Sequence, residues 1–261
     1  SDSAVADVRM ALKEHVGVDV AHGLTPVFET YENFERRGRS VEEFAFTIGE
    51  QFAEEFLKTG LEYLTGALVA ATGTVAELND ATLNTTAMST KHIIRGKRMF
   101  GDQGSNIRSI MMNAEAYYDL VEDQVANMKI DNIAGVQVAT GADAMTFGLP
   151  LIISDISTLQ YDVGAGDLKN RVLFLTEGAG SVVERGQPRF SMDENVQGLE
   201  NLGMRFQGET NTVITLKGYA WDTTTGGRNP NLAAISTGAN WSYIYDSHKL
   251  APASIVEVES V

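Results

Sequence analysis

Apolar residues recur at helical spacing most clearly between Val41 and Ala71. Phe44, Ile48, Phe52 and Phe56 fall four apart, and Leu57, Leu61, Leu64 and Leu68 continue the stripe with a small rotation. That spacing puts one apolar face of a long helix against a core. Ser40 and Glu43 fit a capping box at its start, and Gly73 fits a stop. About 31 residues at ~1.5 Å each give a helix of roughly 45 Å. Gly49, Gly60 and Gly66 each weaken it by about 1 kcal/mol relative to Ala, so packing must hold it straight.

Shorter elements come after it. Residues 74–90 read as a loop with a short helix. Met88 to Met99 reads as a helix with Met88, Ile93, Ile94 and Met99 as its apolar positions, ended by Gly101-Asp-Gln-Gly104. Ile107 to Met112 is apolar enough for a buried strand, and Ala114 to Asn127 reads as a helix. Leu149 to Ile153 and Val172 to Leu175 are short strand-type runs around a turn at Tyr161 to Asp167, and Thr212 to Trp221 alternates as a strand does. The remaining tail is mixed and rich in turn signals. At the other end, Val5 to Val20 alternates in places, and Gly23, Pro26 and Gly38 interrupt the stretch beyond it. Residues 1–37 are therefore expected to form an extended hairpin arm with few core contacts of its own.

The chain has 261 residues, 43% of them hydrophobic and 21% charged, which describes a folded protein and not a disordered one. Its net charge of −15 argues against tight, sequence-neutral binding to phosphate backbones, which needs clustered cations. Such charge suits a subunit present at high copy number, because self-repulsion opposes premature association. With no cysteine, disulfides and thiolate metal sites are excluded. No apolar run reaches the roughly 20 residues of a membrane helix. Neither a basic n-region nor an apolar h-region opens the chain, so no secretion signal and no membrane partner are expected.

The chemistry-bearing patterns are sparse. Gly178-Ala-Gly-Ser181 follows a strand but lacks the third glycine of a dinucleotide fingerprint, and it reads as a turn. The pattern of a nucleophile elbow is absent. His15, His22, His92 and His248 have no partner at metal-ligand spacing. Asp162 and Asp167 flank glycines without the spacing of a calcium loop. Glu54, Glu55 and Glu62 fit a solvated helix face. Nothing supplies nucleophile, base and oxyanion donors together, so no catalytic, cofactor or metal site and no enzyme activity are expected. Two charged stretches stand out instead. One is Glu32, Glu35, Arg36, Arg37 and Arg39. The other is the dense basic cluster Lys91, Arg95, Lys97 and Arg98, which fits either an acidic neighbouring subunit or a solvated face.

A series of segments carries a resemblance through its order. The long helix is followed by Met99-Phe-Gly-Asp102 and by Ser109-Ile-Met-Met-Asn-Ala-Glu-Ala-Tyr-Tyr-Asp-Leu120. Then come Gly148-Leu-Pro-Leu-Ile-Ile-Ser-Asp155, Val172-Leu-Phe-Leu-Thr-Glu-Gly-Ala179 and Thr212-Val-Ile-Thr-Leu-Lys-Gly-Tyr-Ala-Trp221. Asn229-Pro-Asn-Leu-Ala-Ala-Ile-Ser-Thr-Gly-Ala-Asn-Trp241 closes the series. In this order they resemble the major capsid proteins of tailed bacteriophages. The resemblance implies an α+β chain with the Johnson fold shared by phage, herpesvirus and encapsulin shells. It implies an extended β-hairpin loop over 1–37, and a peripheral domain over 38–79 with Val41 to Ala71 as spine helix. A mostly axial domain over 80–204, a peripheral strand over 205–228 and a C-terminal return over 229–261 complete the expected layout.

The resemblance further implies hexamers and pentamers that close an icosahedral head around double-stranded DNA, assembled in the host cytoplasm and found in the virion capsid. Scaffolding, portal and decoration proteins would be its other partners. The charged residues Glu32 to Arg39 and Lys91 to Arg98 become candidate subunit contacts, where ion pairs set register more than affinity. Some relatives crosslink a hairpin Lys to a neighbour's Asn. Lys13 is the only Lys of the expected arm, and no crosslink is expected. Two alternatives are an encapsulin-like compartment with protein cargo and an α+β ligand-binding or enzymatic domain.

Overall fold

The computed structural model describes residues 15–23, 25–37, 40–126, 129–133, 136–140, 146–164, 166–194 and 202–260, with backbone pairing alone for 129–133 and 136–140. Strands β1 (Val18–Gly23) and β2 (Val27–Thr30) lead into α1 (Tyr31–Arg37) and the long α2 (Val41–Gly73). After β3 (Asn79–Asp80) come α3 (Thr90–Met99), β4 (Ile107–Met112), α4 (Ala114–Ala126), β5 (Lys129–Ile133) and β6 (Val136–Thr140). Next are β7 (Leu151–Ile153), β8 (Gln160–Asp162), β9 (Leu168–Thr176), β10 (Gly180–Glu184), β11 (Arg189–Asp193) and β12 (Gly203–Leu216). The chain closes with β13 (Tyr219–Trp221), α5 (Leu232–Ile235), β14 (Trp241–Tyr243) and β15 (Ala253–Glu259).

The long helix forms as its spacing predicts, two residues longer than expected at its C-terminal end. Of the capping box, the serine half is present: Ser40 Oγ accepts from the Glu43 amide at 3.2 Å. The stripe is not uniform. Ile48 and Phe52 are buried, whereas Leu57 is 71% exposed and Phe46 68%. Past Gly60, whose added Cβ would stand 3.7 Å from Val182, β10 crosses the helix. From there Thr65, Ala67, Leu68, Val69, Ala71 and Thr72 are all buried. Gly66 belongs to this half, where a Cβ would lie 2.6 Å from Ser236 Oγ, so close approach of α5 requires glycine there.

Two sheets meet this buried half. In the first, β12 is central. β10 and β11 pair end to end along one edge of β12, and β1 and β2 pair end to end along the other. Strands β1 and β2 therefore pair with β12 and not with each other. The long hairpin among the described residues is that of β10 and β11 with β12. Nor is the described part of residues 1–37 poor in core contacts. Val18 and Val20 alternate onto the face that looks at α2 and are 1% exposed, and Phe34 is buried.

The second sheet runs β3-β15-β9-β4-β7, with β8 beside β9. It is covered on both faces, and its alternation sorts two cores. Met111, Leu173, Ala253 and Ile255 join the core around α2. Ile110, Met112, Val172, Phe174, Val256 and Val258 join a second core under α3 and α4. Burial on both faces explains why Ile110-Met-Met and Val172-Leu-Phe read as unbroken apolar runs. β13 and β14 form a small ribbon in which Trp221 and Trp241 meet edge to face at 4.9 Å.

Close packing between α3 and this sheet gives the first test. An added Cβ at Gly96 would lie 2.2 Å from the Phe174 ring. Helix propensity alone makes Gly96→Ala stabilising by about 1 kcal/mol. Overpacking against a fully buried ring makes it destabilising by about 1–3 kcal/mol instead. Urea denaturation of the unassembled variant reads the sign.

Candidate subunit-interface surfaces

The basic cluster lies on α3, and the fold divides it. Arg95 turns inward and holds Asp80 of β3 at 2.7 Å, with both side chains largely covered. Burial alone would raise the Asp80 carboxyl. The Thr82 hydroxyl and amide and the Arg95 guanidinium outweigh it and hold the group below the usual range. Lys97 lies over the Phe147 ring at 5.4 Å from its centroid. Lys91 and Arg98 are exposed. One predicted cluster thus contains one internal tie, one ring contact and two surface cations.

His92 begins the same helix and acts as a cap. The Ser89 amide donates to His92 Nδ1 at 3.1 Å, while Nε2 lies 3.3 Å from Thr86 Oγ1 and 3.4 Å from the Leu83 carbonyl. Nδ1 must be unprotonated to accept that bond, so Nε2 carries the proton. Burial holds this imidazole below the ordinary histidine range, and it does the same to His22, which is wedged between Phe56, Tyr63 and Thr212.

The first charged stretch lies on α1. Glu32 and Arg36 pair across one helical turn, and Arg37 reaches Glu29 at 3.8 Å. The Glu32–Arg36 pair is exposed, as is Arg37, and such pairs contribute little to folding. Glu35 is exposed as well. Arg39 and Lys13 lie outside the described residues.

Beneath α4 is a polar network that no sequence pattern predicted. Asn113 Nδ2 donates to Asn170 Oδ1 at 2.8 Å, and Asn170 Nδ2 donates to Glu115 Oε2 at 2.9 Å. Gln160 and Ser260 donate into the same carboxylate. Nearby, Tyr161 donates to Glu257 Oε2 at 2.6 Å under the Arg171 guanidinium, and burial with that carboxylate pushes the phenol up to about 12. Each group is spent on another within the chain, which joins α4 to β8, β9 and the tail. The cue in sequence was only a scatter of Asn, Gln and Ser in apolar surroundings. Among the described residues no group of His, Asp or Glu is placed to hold a metal, and no helix is long and apolar enough to cross a membrane.

The polar groups of the α4 network and Arg95 of α3 are thus engaged within the chain. A family profile, Gp13-like (Major capsid protein 13-like), matches residues 1–253, and the chain belongs to that family of phage major capsid proteins. Solved structures agree at the level of fold. The Cyanophage Pam1 capsid asymmetric unit matches with a TM-score of 0.56 at 10% identity, covering 100% of this chain and 80% of that one. The capsid of Ralstonia phage GP4 gives 0.52 at 12% identity with the same coverages. The Mycobacterium phage Adephagia structure gives 0.54 at 9% identity, covering 94% of this chain and 73% of its own. No curated protein sequence matches. The α+β class and capsid fold implied by the sequence resemblance therefore hold, as does the structural, non-enzymatic role of the family.

Two outcomes are expected for α3. Arg95→Ala should cost about 1 kcal/mol, because it strands a partly covered carboxylate. Lys91→Ala and Arg98→Ala should stay within about 0.5 kcal/mol as unassembled chains. Denaturant midpoints separate the two cases. For His92, the folded value lies below the ordinary 6.5. The unfolded chain therefore binds the extra proton, and stability is full above pH 6.5 and lost as the pH falls toward the folded value. Melting temperature should fall as the pH is lowered below 6.5, and His92→Gln should flatten part of that slope.

Proposed function

We propose that this chain builds the icosahedral head of a tailed double-stranded DNA bacteriophage by self-assembly into hexamers and pentamers. The observation that carries the reading is the family match over residues 1–253. Fold likeness across the whole chain to phage capsid subunits supports it. The physical character of the molecule agrees. Its only dense basic segment is partly consumed by Asp80 and Phe147, and its net charge is −15, so it encloses DNA without sequence-specific grip. Scaffolding, portal and decoration proteins are the further partners of this reading. In the layout that goes with it, β1 and β2 join β12 in the peripheral domain, together with residues 38–79 and 205–228. Residues 80–204 are mostly axial, and 229–261 form the return.

Electron microscopy of the concentrated protein, beside its sedimentation profile, tests the reading. Closed shells or capsomer rings are expected. A homogeneous monomer or dimer at every concentration, with and without co-expressed phage assembly factors, would remove it.

A further inference from the structure

Helices α3 and α4 are neighbours of opposite charge. α3 carries Lys91, Arg95, Lys97 and Arg98 and no acid, while α4 carries Glu115, Asp119, Glu122 and Asp123 and no base. Each also exposes large apolar side chains inside its charged face. Ile94 is 53% exposed, and it lies three residues after Lys91 and four before Arg98, on one helical face. Tyr118 is 68% exposed and Val125 62%, two turns apart, with Glu122 between them. A solvated face needs charge but has no use for apolar residues framed by charge of one sign.

Much of the charge on both helices is already engaged. Arg95 binds Asp80, Lys97 lies over Phe147, Glu115 serves the polar network, and Thr90 donates to Asp123. Asp119 is half-buried, with its carboxyl raised by burial and then by Glu115 and Glu122. The exposed remainder is Lys91 with Arg98 on one helix and Glu122 on the other, and none of these three forms an ion pair among the described residues.

We propose that the Lys91–Ile94–Arg98 row of one copy seats against the Tyr118–Glu122–Val125 row of the next copy. Ile94 covers Tyr118 and Val125, and the cations flank Glu122. The occupant is a second copy of this chain because the two rows complement each other in both polarity and charge. DNA bound along α3 would account for the cations and leave α4 without a role. Two different rows make the contact heterologous, so repetition closes a ring or propagates an open array and does not stop at a two-fold dimer. The proposal rests on the shell-subunit reading and adds the surfaces that join neighbours.

The absence of cysteine makes the test direct. Full-length Ile94→Cys and Tyr118→Cys chains are prepared separately, mixed under conditions that give shells or rings, and oxidised. The mixture should give a covalent dimer on a non-reducing gel, and either variant alone should stay monomeric. Self-dimers from one variant, or shells from the mixture without covalent dimer, overturn the contact while leaving the capsid reading intact. Failure of the wild-type chain to form any shell or ring overturns the capsid reading, and the contact with it. As a second readout, Arg98→Glu should raise the concentration needed for assembly about tenfold, with unchanged melting of the unassembled chain. Adding Glu122→Arg to the same chain should restore assembly. No rise, or no restoration, overturns the pairing.

Discussion

Burial of the C-terminal half of α2 is the constraint on which the rest of this molecule depends. Between Thr65 and Thr72 the helix has no solvent face, because one core joins it to both sheets. Val18, Val20, Ile214 and Leu216 reach it from the β12 sheet, and Met111, Leu173 and Ile255 from the β15 sheet. The two sheets are oriented by a shared apolar partner more than by bonds to each other. Small residues make this feasible. Ala67, Ala71 and Gly66 let strands and α5 come close, and of the three only Gly66 costs helix propensity, which the burial offsets.

That arrangement explains what was legible in the sequence. The helix could be read because its N-terminal half is one-sided, and one-sided burial leaves a period of 3.6. β4 and β9 could be read because double-sided burial leaves a continuous apolar run. β15 is as buried as either, yet it stayed hidden behind Pro252 and a glutamate at each second position near its end. Glu257 is tolerated there because Tyr161 and Asn79 donate to it from elements far away in sequence. Strand β12 was half seen, because Thr212 to Leu216 alternates in apolar residues while Gly203 to Asn211 alternates in long polar ones. Lys217-Gly218 breaks the expected strand at a turn with Gly218 at φ +75°. As for the candidate surface, charge was visible and its use was not. The partner of Arg95 lies fifteen residues away across a loop, a separation that carries no periodic signal.

The short words behind the family resemblance have a common physical role as ties between segments distant in sequence. Asp102 of the Gly101-Asp102 pair takes Lys249 from the tail at 2.7 Å. Asn229 Oδ1 accepts the Ala21 amide of β1 at 2.9 Å. In the closing segment, an added Cβ at Gly238 would stand 3.0 Å from the Ala70 carbonyl, Asn240 donates to the Ala234 carbonyl and Trp241 Nε1 donates to the Ile235 carbonyl. None of these is a chemical site. Each fixes where one segment crosses another, which is why their order identified the fold while each word alone said little.

The β12 sheet has a mechanical consequence. Fourteen residues of strand span roughly 46 Å, with the C-terminal part, near Ile214 and Leu216, in the main core and the far end outside it, where Met204 is buried beside β2. The far part carries half-exposed Phe190 and Met192 beside the exposed half of α2. Relative to the main core, such an element is an arm with a fixed root. A tilt of about 5° at the root displaces the tip by about 4 Å, from the strand length alone. A curved shell asks one chain to meet its neighbours at slightly different angles. For an arm rooted in this way, a small tilt meets those angles at the tip while the root stays within the core.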